Sequence, residues 1–351
     1  MLAMLLASIA MLGTIRTAGW NLTALPRVDS KTKLGAVAHQ LDPGFRTVHP
    51  GAYDGQFYWG IAIDPLATGT AHKAFDKTSY RYGHPLYGWL AWLISAGQAR
   101  AAPAALAAVG IASLFAAAAL ATALGVARRS SGWEALSVAL NLGLISSVVH
   151  DLAEPLAAAL LLGALGAHAR GRLAVSWICL ALLPLAKEPL ALVLLGVVVW
   201  ELRQHHTQRA AILATAGIPA LAWWTYARIQ LGAWFTSGDT ALGRPLAGWA
   251  KALLNASGNA HEPTGRHAAT VAILLFLLSA LALGCIRALR LRSPLEYAYL
   301  ALAAVAVCLA PNATAAFSTA LRNTAFLTVL LPFVLVPPTL APFATHRPNQ
   351  P

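Results

Sequence analysis

Long apolar runs recur along this chain from Met1 to about Phe343. An α-helix needs about 20 mostly apolar residues to span a bilayer. The 351 residues are 58% hydrophobic and 11% charged, whereas a typical soluble domain is about 25% charged. We therefore expect an all-α protein, a polytopic transmembrane helical bundle. After a first run over 1–15, further runs lie at 103–127, 133–149, 152–167, 173–186, 189–200, 210–227, 268–286, 295–311 and 324–342.

The turns between these runs are of two alternating kinds. One kind is short and basic: Arg128-Arg129, Arg170 with Arg172, Arg203 with Arg209, and Arg287 with Arg290 and Arg292. The other kind comprises the segments 150–155, 186–189, 228–267 and 311–323. Because cytoplasmic loops carry an excess of Lys and Arg, the basic turns are predicted inside and the others outside. This gives about ten crossings, plus or minus one, with both termini in the cytoplasm.

The net charge of +12 fits this interpretation. Basic cytoplasmic loops face anionic lipid headgroups, so the charge indicates contact with membrane lipids and no nucleic-acid partner. The three cysteines, Cys179, Cys285 and Cys308, lie within apolar runs. Neither a disulfide framework nor a thiolate metal site is expected from that placement.

The domain prediction is one membrane-embedded unit over 1–343, followed by a cytoplasmic tail at 344–351. Within it, 1–15 is an uncleaved first helix, 16–102 is a large external loop, and 103–343 holds the remaining helices. The segment 85–97 has only 13 residues, so it is predicted to be re-entrant or interfacial. If this segment crossed the membrane, every later turn would lie on the opposite side from the one predicted here. The run over 173–200 is either one broken helix or a tight pair, and its basic ends favour a pair that turns outside.

The stretch "GAYDGQFYWGIAIDP" (51–65) concentrates aromatic and acidic residues in the external loop. It predicts a helix over 55–63 that ends at Asp64-Pro65. In one interpretation Asp54 caps this helix, and its aromatic face lies on the membrane interface. In the other, Asp54 is a general base that accepts the proton of an acceptor hydroxyl, beside aromatic walls that suit a sugar ring or a polyprenyl chain.

Four stretches together resemble the GT-C superfamily of membrane glycosyltransferases. More narrowly, they are similar to bacterial members related distantly to the GPI and dolichyl-phosphate mannosyltransferases. The stretches are "YDGQFYWGIAIDP" (53–65), "YRYGHPLYGWLAWL" (80–93), "HDLAEPLAAALLLGAL" (150–165) and "AKEPLALVLL" (186–195). The resemblance covers roughly residues 45 to 200, and the last third of the chain matches only in hydropathy. The first loop lacks the Asp-x-Asp pair of the family, so neither a metal nor a particular sugar is implied.

The resemblance implies a polyprenyl-phosphate sugar donor and a glycan, lipid or protein acceptor of the cell envelope. Transfer would occur on the outer face of a bacterial inner membrane, at a site open to the periplasm or exterior. Asp54 would match the catalytic acid of the first loop, and Asp151 or Glu154 a second acidic position. Cations near the donor phosphate would stabilise the leaving group. The predicted substrate-binding residues are Tyr53, Tyr58, Arg81, His84, Lys187, Glu188 and Arg322.

No cofactor is expected, because the histidines of the first loop lack the spacing of metal ligands; a divalent metal is left open. Other functions also stay open. A lipid or solute transporter, or flippase, would also use charges near a membrane, although transporters more often place them near the midplane. A non-catalytic scaffold would need the aromatic loop but not its carboxylates. A ligase that transfers a whole lipid-linked glycan is not separable from a single-sugar transferase by sequence.

Overall fold

The computed structural model describes residues 2–128, 133–238, 241–258, 264–290, 293–314 and 317–336. The predicted tail at 344–351 lies outside these residues. The described part of the chain is helical, and its only extended pairings are two isolated bridges, Asp29 with Val48 and Leu242 with Leu309. Its first helices are α1 (Leu2–Thr17), α2 (Lys33–Leu41), α3 (Gly55–Ile63), α4 (Thr78–Arg81), α5 (Leu86–Ser95), α6 (Ala102–Ala127), α7 (Leu136–Ala139), α8 (Leu142–Val149), α9 (Glu154–Ala169) and α10 (Leu173–Ala186).

The second half continues in the same way. Short 3-10 turns connect several helices, among them Glu188–Leu190 before α11 and Thr215–Gly217 between α12 and α13. The helices are α11 (Ala191–Arg203), α12 (Thr207–Ala214), α13 (Ile218–Leu231), α14 (Ala247–Gly258), α15 (Thr264–Ala288), α16 (Pro294–Val307), α17 (Pro311–Thr314), α18 (Phe317–Asn323) and α19 (Ala325–Leu335).

Three helical spans in the described residues are long and apolar enough to cross a membrane: Ala102–Ala127, Thr207–Leu231 and Ala268–Ala288. Several further apolar helices have 10 to 17 residues, including α9, α10, α16 and α19. The all-α fold is thus confirmed, whereas the figure of about ten crossings stays a prediction.

The helices pack around one large core. The main core joins α3, α5, α6, α9, α10, α11, α16 and α19, and α6 packs along α9, which packs along α10. A smaller core is built by α14, α15, α17 and α18 around the buried Trp249. The segments 228–267 and 311–323, predicted as turns, therefore contain helices: α14 in the first, and α17 and α18 in the second.

The sequence predicted one helix over the run at 133–149, but the structure has two. The run breaks between α7 and α8, where the Asn141 side chain accepts a hydrogen bond from Leu144 N–H. The Asn141 amide also donates to Ala325 O and Thr328 Oγ1 on α19. An asparagine that caps one helix and bonds to another stabilises the break.

The aromatic helix α5 has ten residues and is therefore about 15 Å long, half the thickness of a bilayer core. That 85–97 is re-entrant or interfacial stays a prediction. Trp89 donates to Pro65 O, and Tyr87 donates to Leu106 O on α6. These bonds hold α5 between the first loop and the bundle.

Tryptophans of α13 fix the next part of the first loop. Trp223 Nε1 donates to Tyr82 O at 2.7 Å, and Trp224 Nε1 donates to Gly83 O at 2.8 Å. Tyr226 donates to Leu66 O. A buried N–H of tryptophan needs an acceptor, and here each acceptor belongs to the backbone beside Arg81 and His84. The loop is in this way fixed against a helix that follows it by about 140 residues.

Candidate active site

A cavity of about 460 Å³ lies where the first loop meets several helix ends. Its wall combines the start of α3, the region of α4, the first turn of α9, the turn before α11, and the adjoining ends of α16, α18 and α19. Nine of the ten predicted site residues line it: Tyr53, Asp54, Tyr58, Arg81, His84, Glu154, Lys187, Glu188 and Arg322. The cavity thus brings together residues that lie up to 269 positions apart in the sequence.

Asp54 precedes α3, but its side chain does not cap that helix. Its backbone is helical, and its carboxylate makes no capping hydrogen bond. The capping interpretation is therefore wrong in the structure. The predicted aromatic face of α3 is present: Tyr53, Phe57 and Ile61 line the cavity, and Phe57 and Ile61 are buried.

Two arginines share the Asp54 carboxylate. Arg81 Nη1 lies 3.1 Å from Oδ1, and Arg322 Nη1 lies 3.0 Å from Oδ2. The Asp54 side chain is 37% exposed, so a molecule in the cavity can reach it. Partial burial raises the pKa of Asp54, but the charges of Arg322 and Arg81 outweigh it and hold that pKa below its usual value. The carboxylate is ionised at neutral pH.

Glu154 forms a second charged group beside the first. Lys187 Nζ lies 2.5 Å from Glu154 Oε1, and Arg322 Nε lies 3.6 Å from the same oxygen. Arg322 therefore stands between Asp54 and Glu154. Arg322 Nε and Glu154 Oε2 are both buried and lack a hydrogen-bond partner. Both atoms belong to the charged network that joins Asp54, Arg322, Glu154 and Lys187.

The remaining predicted residues complete the wall. His84 Nδ1 lies 2.9 Å from Glu188 Oε1, and both side chains are largely buried. Tyr58 is buried and packs edge-on against Tyr87 and His84. The ring of Tyr53 lies 5.3 Å from the guanidinium carbon of Arg322. The wall thus offers charges in one part and aromatic rings in another.

Asp151 is the predicted residue that the structure does not bring to the cavity wall. It is fully buried, and neither carboxyl oxygen has a hydrogen-bond partner. Burial raises the pKa of Asp151 well above its usual value, which favours the neutral form. Its backbone is left-handed, with φ of 52°, in the turn between α8 and α9. Asp151 is therefore buried away from the cavity, whereas Glu154 lines it.

Close backbone contacts bring these parts together. A Cβ on Gly55 would lie 2.2 Å from His150 O, so α3 can approach the turn before α9 only because residue 55 is glycine. A Cβ on Gly143 would lie 2.5 Å from Leu321 O. The first contact places Asp54 near Glu154, and the second places Arg322 beside both.

Sequence reasoning missed three contributors. Asp76 holds Arg81 from the other side, with Oδ1 3.2 Å from Nε. Lys77 lines the cavity and has no acidic partner among the described residues. Both stand within five residues of Arg81, and that spacing could have indicated them. Phe235 lines the cavity and stacks on Trp224, and no pattern in the sequence pointed to it.

The cavity wall carries four cations and three carboxylates, counting Lys77, Arg81, Lys187 and Arg322 against Asp54, Glu154 and Glu188. This excess of one positive charge suits an anionic ligand. Among the described residues, no group of three or more His, Cys, Asp or Glu side chains could hold a metal ion. No protein-family model, curated protein or solved structure matches this chain.

Proposed function

We propose that this protein is a membrane glycosyltransferase that takes a sugar from a polyprenyl-phosphate donor. The acceptor would be a cell-envelope glycan, lipid or protein. One observation carries the proposal: a single cavity combines an accessible carboxylate, a cluster of cations and aromatic walls at one end of an apolar helical bundle. Phosphate needs the cations, a sugar ring suits the aromatic walls, and transfer to a hydroxyl needs the base.

In the proposed reaction Asp54 is the general base. The acceptor hydroxyl attacks the anomeric carbon of the donor sugar and passes its proton to the Asp54 carboxylate. The bond between that carbon and the phosphate oxygen breaks, and polyprenyl phosphate leaves with the electron pair. Arg322, Lys187 and Arg81 offset the charge that develops on the leaving group. Proton removal by a positioned base typically contributes about 10²–10⁴ in rate.

The pairing of Asp54 with two arginines adds a step to this scheme. A carboxylate whose pKa is lowered by two cations is a weak base. A donor phosphate would compete with Asp54 for Arg81 and Arg322, because guanidinium groups bind phosphate oxygens at least as well as carboxylate. As the arginines turn toward the phosphate, the pKa of Asp54 rises. The base would then become effective only when donor is bound.

The proposal also states on which side of the membrane the cavity opens. The turns 150–155 and 186–189, predicted outside on charge grounds, both contribute to the cavity wall. The cavity would therefore open to the periplasm or exterior of a bacterial inner membrane. Aromatic residues from 53 to 61 would lie near the membrane surface, where a lipid-linked donor carries its phosphate.

The experiment is to incubate purified protein in nanodiscs with a panel of radiolabelled polyprenyl-phosphate sugars. Release of polyprenyl phosphate from one donor, increased by an acceptor, is the expected result. Asp76→Asn is the matched control for substitution of Asp54, because Asp76 also contacts Arg81 but is not among the cavity-lining residues. Absence of release from every donor, with and without candidate acceptors, would overturn the proposal.

A further inference from the structure

A second concave surface lies on the outside of the bundle and shares no residue with the candidate active site. It has a volume of about 980 Å³ and lies between α5, α6, α9 and the start of α10. On α6 its wall extends from Ala108 to Ala123. At a rise of 1.5 Å per residue, that is a groove about 22 Å long. Its length is that of an extended aliphatic chain, not of a sugar.

Small residues of two neighbouring helices create the groove. Ala112 and Ala116 of α6 and Gly163 and Gly166 of α9 line it, and these two helices pack against each other. At the end nearest α5, its rim carries the exposed side chains of Leu93 and Ile94. Because α6 is one of the three spans long and apolar enough to cross a membrane, this groove would lie along the hydrocarbon core.

The opposite end of the groove is positively charged. Arg170 and Arg172 are the only charged residues among those that line it. Arg170 Nη1 donates to Gly166 O at 3.0 Å, and its Nη2 donates to Ala123 O. These bonds hold the guanidinium between the final turns of α9 and α6. Arg172 is exposed beside it.

We propose that this groove binds one anionic phospholipid, with an acyl chain along α6 and the phosphate at Arg170 and Arg172. Both parts of the phospholipid match the groove: the acyl chain fits the apolar wall, and the phosphate fits the paired arginines. Positive residues at the membrane edge attract anionic headgroups. The two arginines lie at the end of the bundle predicted to be cytoplasmic, away from the cavity cations, so the occupant differs from the proposed donor.

Native mass spectrometry of the full chain in detergent tests this inference. Phosphatidylglycerol and phosphatidylcholine with identical acyl chains are added in competition. The wild type should retain one phosphatidylglycerol at least about fivefold in preference to phosphatidylcholine. Ala112→Phe should lose this retention, because it fills the groove. Thr122→Phe should not, because Thr122 is exposed on the same helix but lies away from the face that lines the groove.

The arginines are tested separately. Arg172→Gln should reduce the preference for phosphatidylglycerol severalfold while leaving the folded mass and helix content unchanged. Equal retention of the two lipids by the wild type would overturn the proposal, and so would equal retention by Ala112→Phe and Thr122→Phe. Displacement of the bound phospholipid by farnesyl phosphate, an isoprenoid phosphate, would overturn it as well, since the groove would then belong to the donor.

Discussion

Asp54 divides its two carboxylate oxygens between Arg81 and Arg322, and this division governs how the cavity responds to an anion. Any phosphate that enters must compete with a carboxylate that is already in place. Arg322 contacts Asp54 through Nη1, and its Nε lies 3.6 Å from Glu154 Oε1. The same residue therefore connects Asp54, the proposed base, with Glu154, and it is placed to contact the phosphate of the proposed donor.

Removal of the Asp54 charge should strengthen phosphate binding. In Asp54→Asn the competing carboxylate is gone, so farnesyl phosphate should bind about tenfold tighter, or about 1.4 kcal/mol. Isothermal titration in detergent measures this, with farnesol and inorganic phosphate as separate probes. Asp76→Asn should bind as the wild type does, since Asp76 is 58% exposed and screened by solvent. Equal or weaker binding by Asp54→Asn would show that the carboxylate does not compete.

At the scale of single elements, the end of α3 is held by Asp64. Its carboxylate accepts hydrogen bonds from the backbone N–H groups of Thr68, Gly69 and His72, and from His72 Nδ1. Tyr82 O–H donates to the Asp64 carbonyl. The prediction that Asp64 ends the helix is confirmed, and its side chain also organises the loop that leads to Arg81.

Asp64 should make stability depend on pH at the acid end. Burial raises the pKa of Asp64, but the hydrogen bonds from Gly69 and His72 lower it further, so the folded value lies below the unfolded one. The stabilisation is then complete above about pH 4, the ordinary aspartate value, and is lost as the pH falls through the folded pKa.

Asp64→Asn should accordingly lower the free energy of unfolding by about 1–3 kcal/mol at pH 7. The difference from wild type should shrink below pH 4. Thermal unfolding in detergent, followed by intrinsic fluorescence across pH 3–8, measures it. A constant difference down to pH 3 would exclude the carboxylate as its source.

The contact between α3 and the turn before α9 can be tested through Gly55. A methyl group in Gly55→Ala would lie 2.2 Å from His150 O, so α3 must shift and Asp54 must move with it. Phosphate binding should fall more than tenfold, and the unfolding temperature should drop. Gly13→Ala is the control, because a Cβ there meets nothing within 4 Å. Unchanged binding in Gly55→Ala would mean that the close approach does not position Asp54.

The sequence allowed the elements to be predicted better than their contacts. The bounds of α6 and α10 follow from apolar runs that begin and end at basic or polar residues. The break at Asn141 was missed, because its amide bonds to α19, almost 190 residues away. Likewise, the sequence left open whether the Asp54 carboxylate caps α3, because its partner Arg322 is 268 positions distant. Local patterns indicate helices, whereas ion pairs across the bundle arise only from packing.

At the scale of the whole molecule, the gathering of polar turns at one end was predictable from charge alternation. The cavity draws on the first loop, on both predicted acidic turns and on the segment 311–323. The exclusion of Asp151 from the wall was not predictable. Asp151 and Glu154 lie three residues apart, and only the left-handed turn at Asp151 separates their environments.

Sidedness is testable by cysteine labelling in a background without Cys179, Cys285 and Cys308. Ser30→Cys and His205→Cys place a thiol at exposed positions in the first loop and in a basic turn. An impermeant maleimide added to intact spheroplasts should label the first variant and not the second. The reverse pattern would place the cavity on the cytoplasmic side.

If Asp54 accepts the proton of the acceptor hydroxyl, its replacement by asparagine should slow turnover. With donor saturating in nanodiscs, kcat should fall by about 10²–10⁴, since the amide is of the same size but cannot act as a base. Asp76→Asn should stay within about twofold of wild type. Near-normal turnover by Asp54→Asn, with donor bound, would show that Asp54 is not the general base.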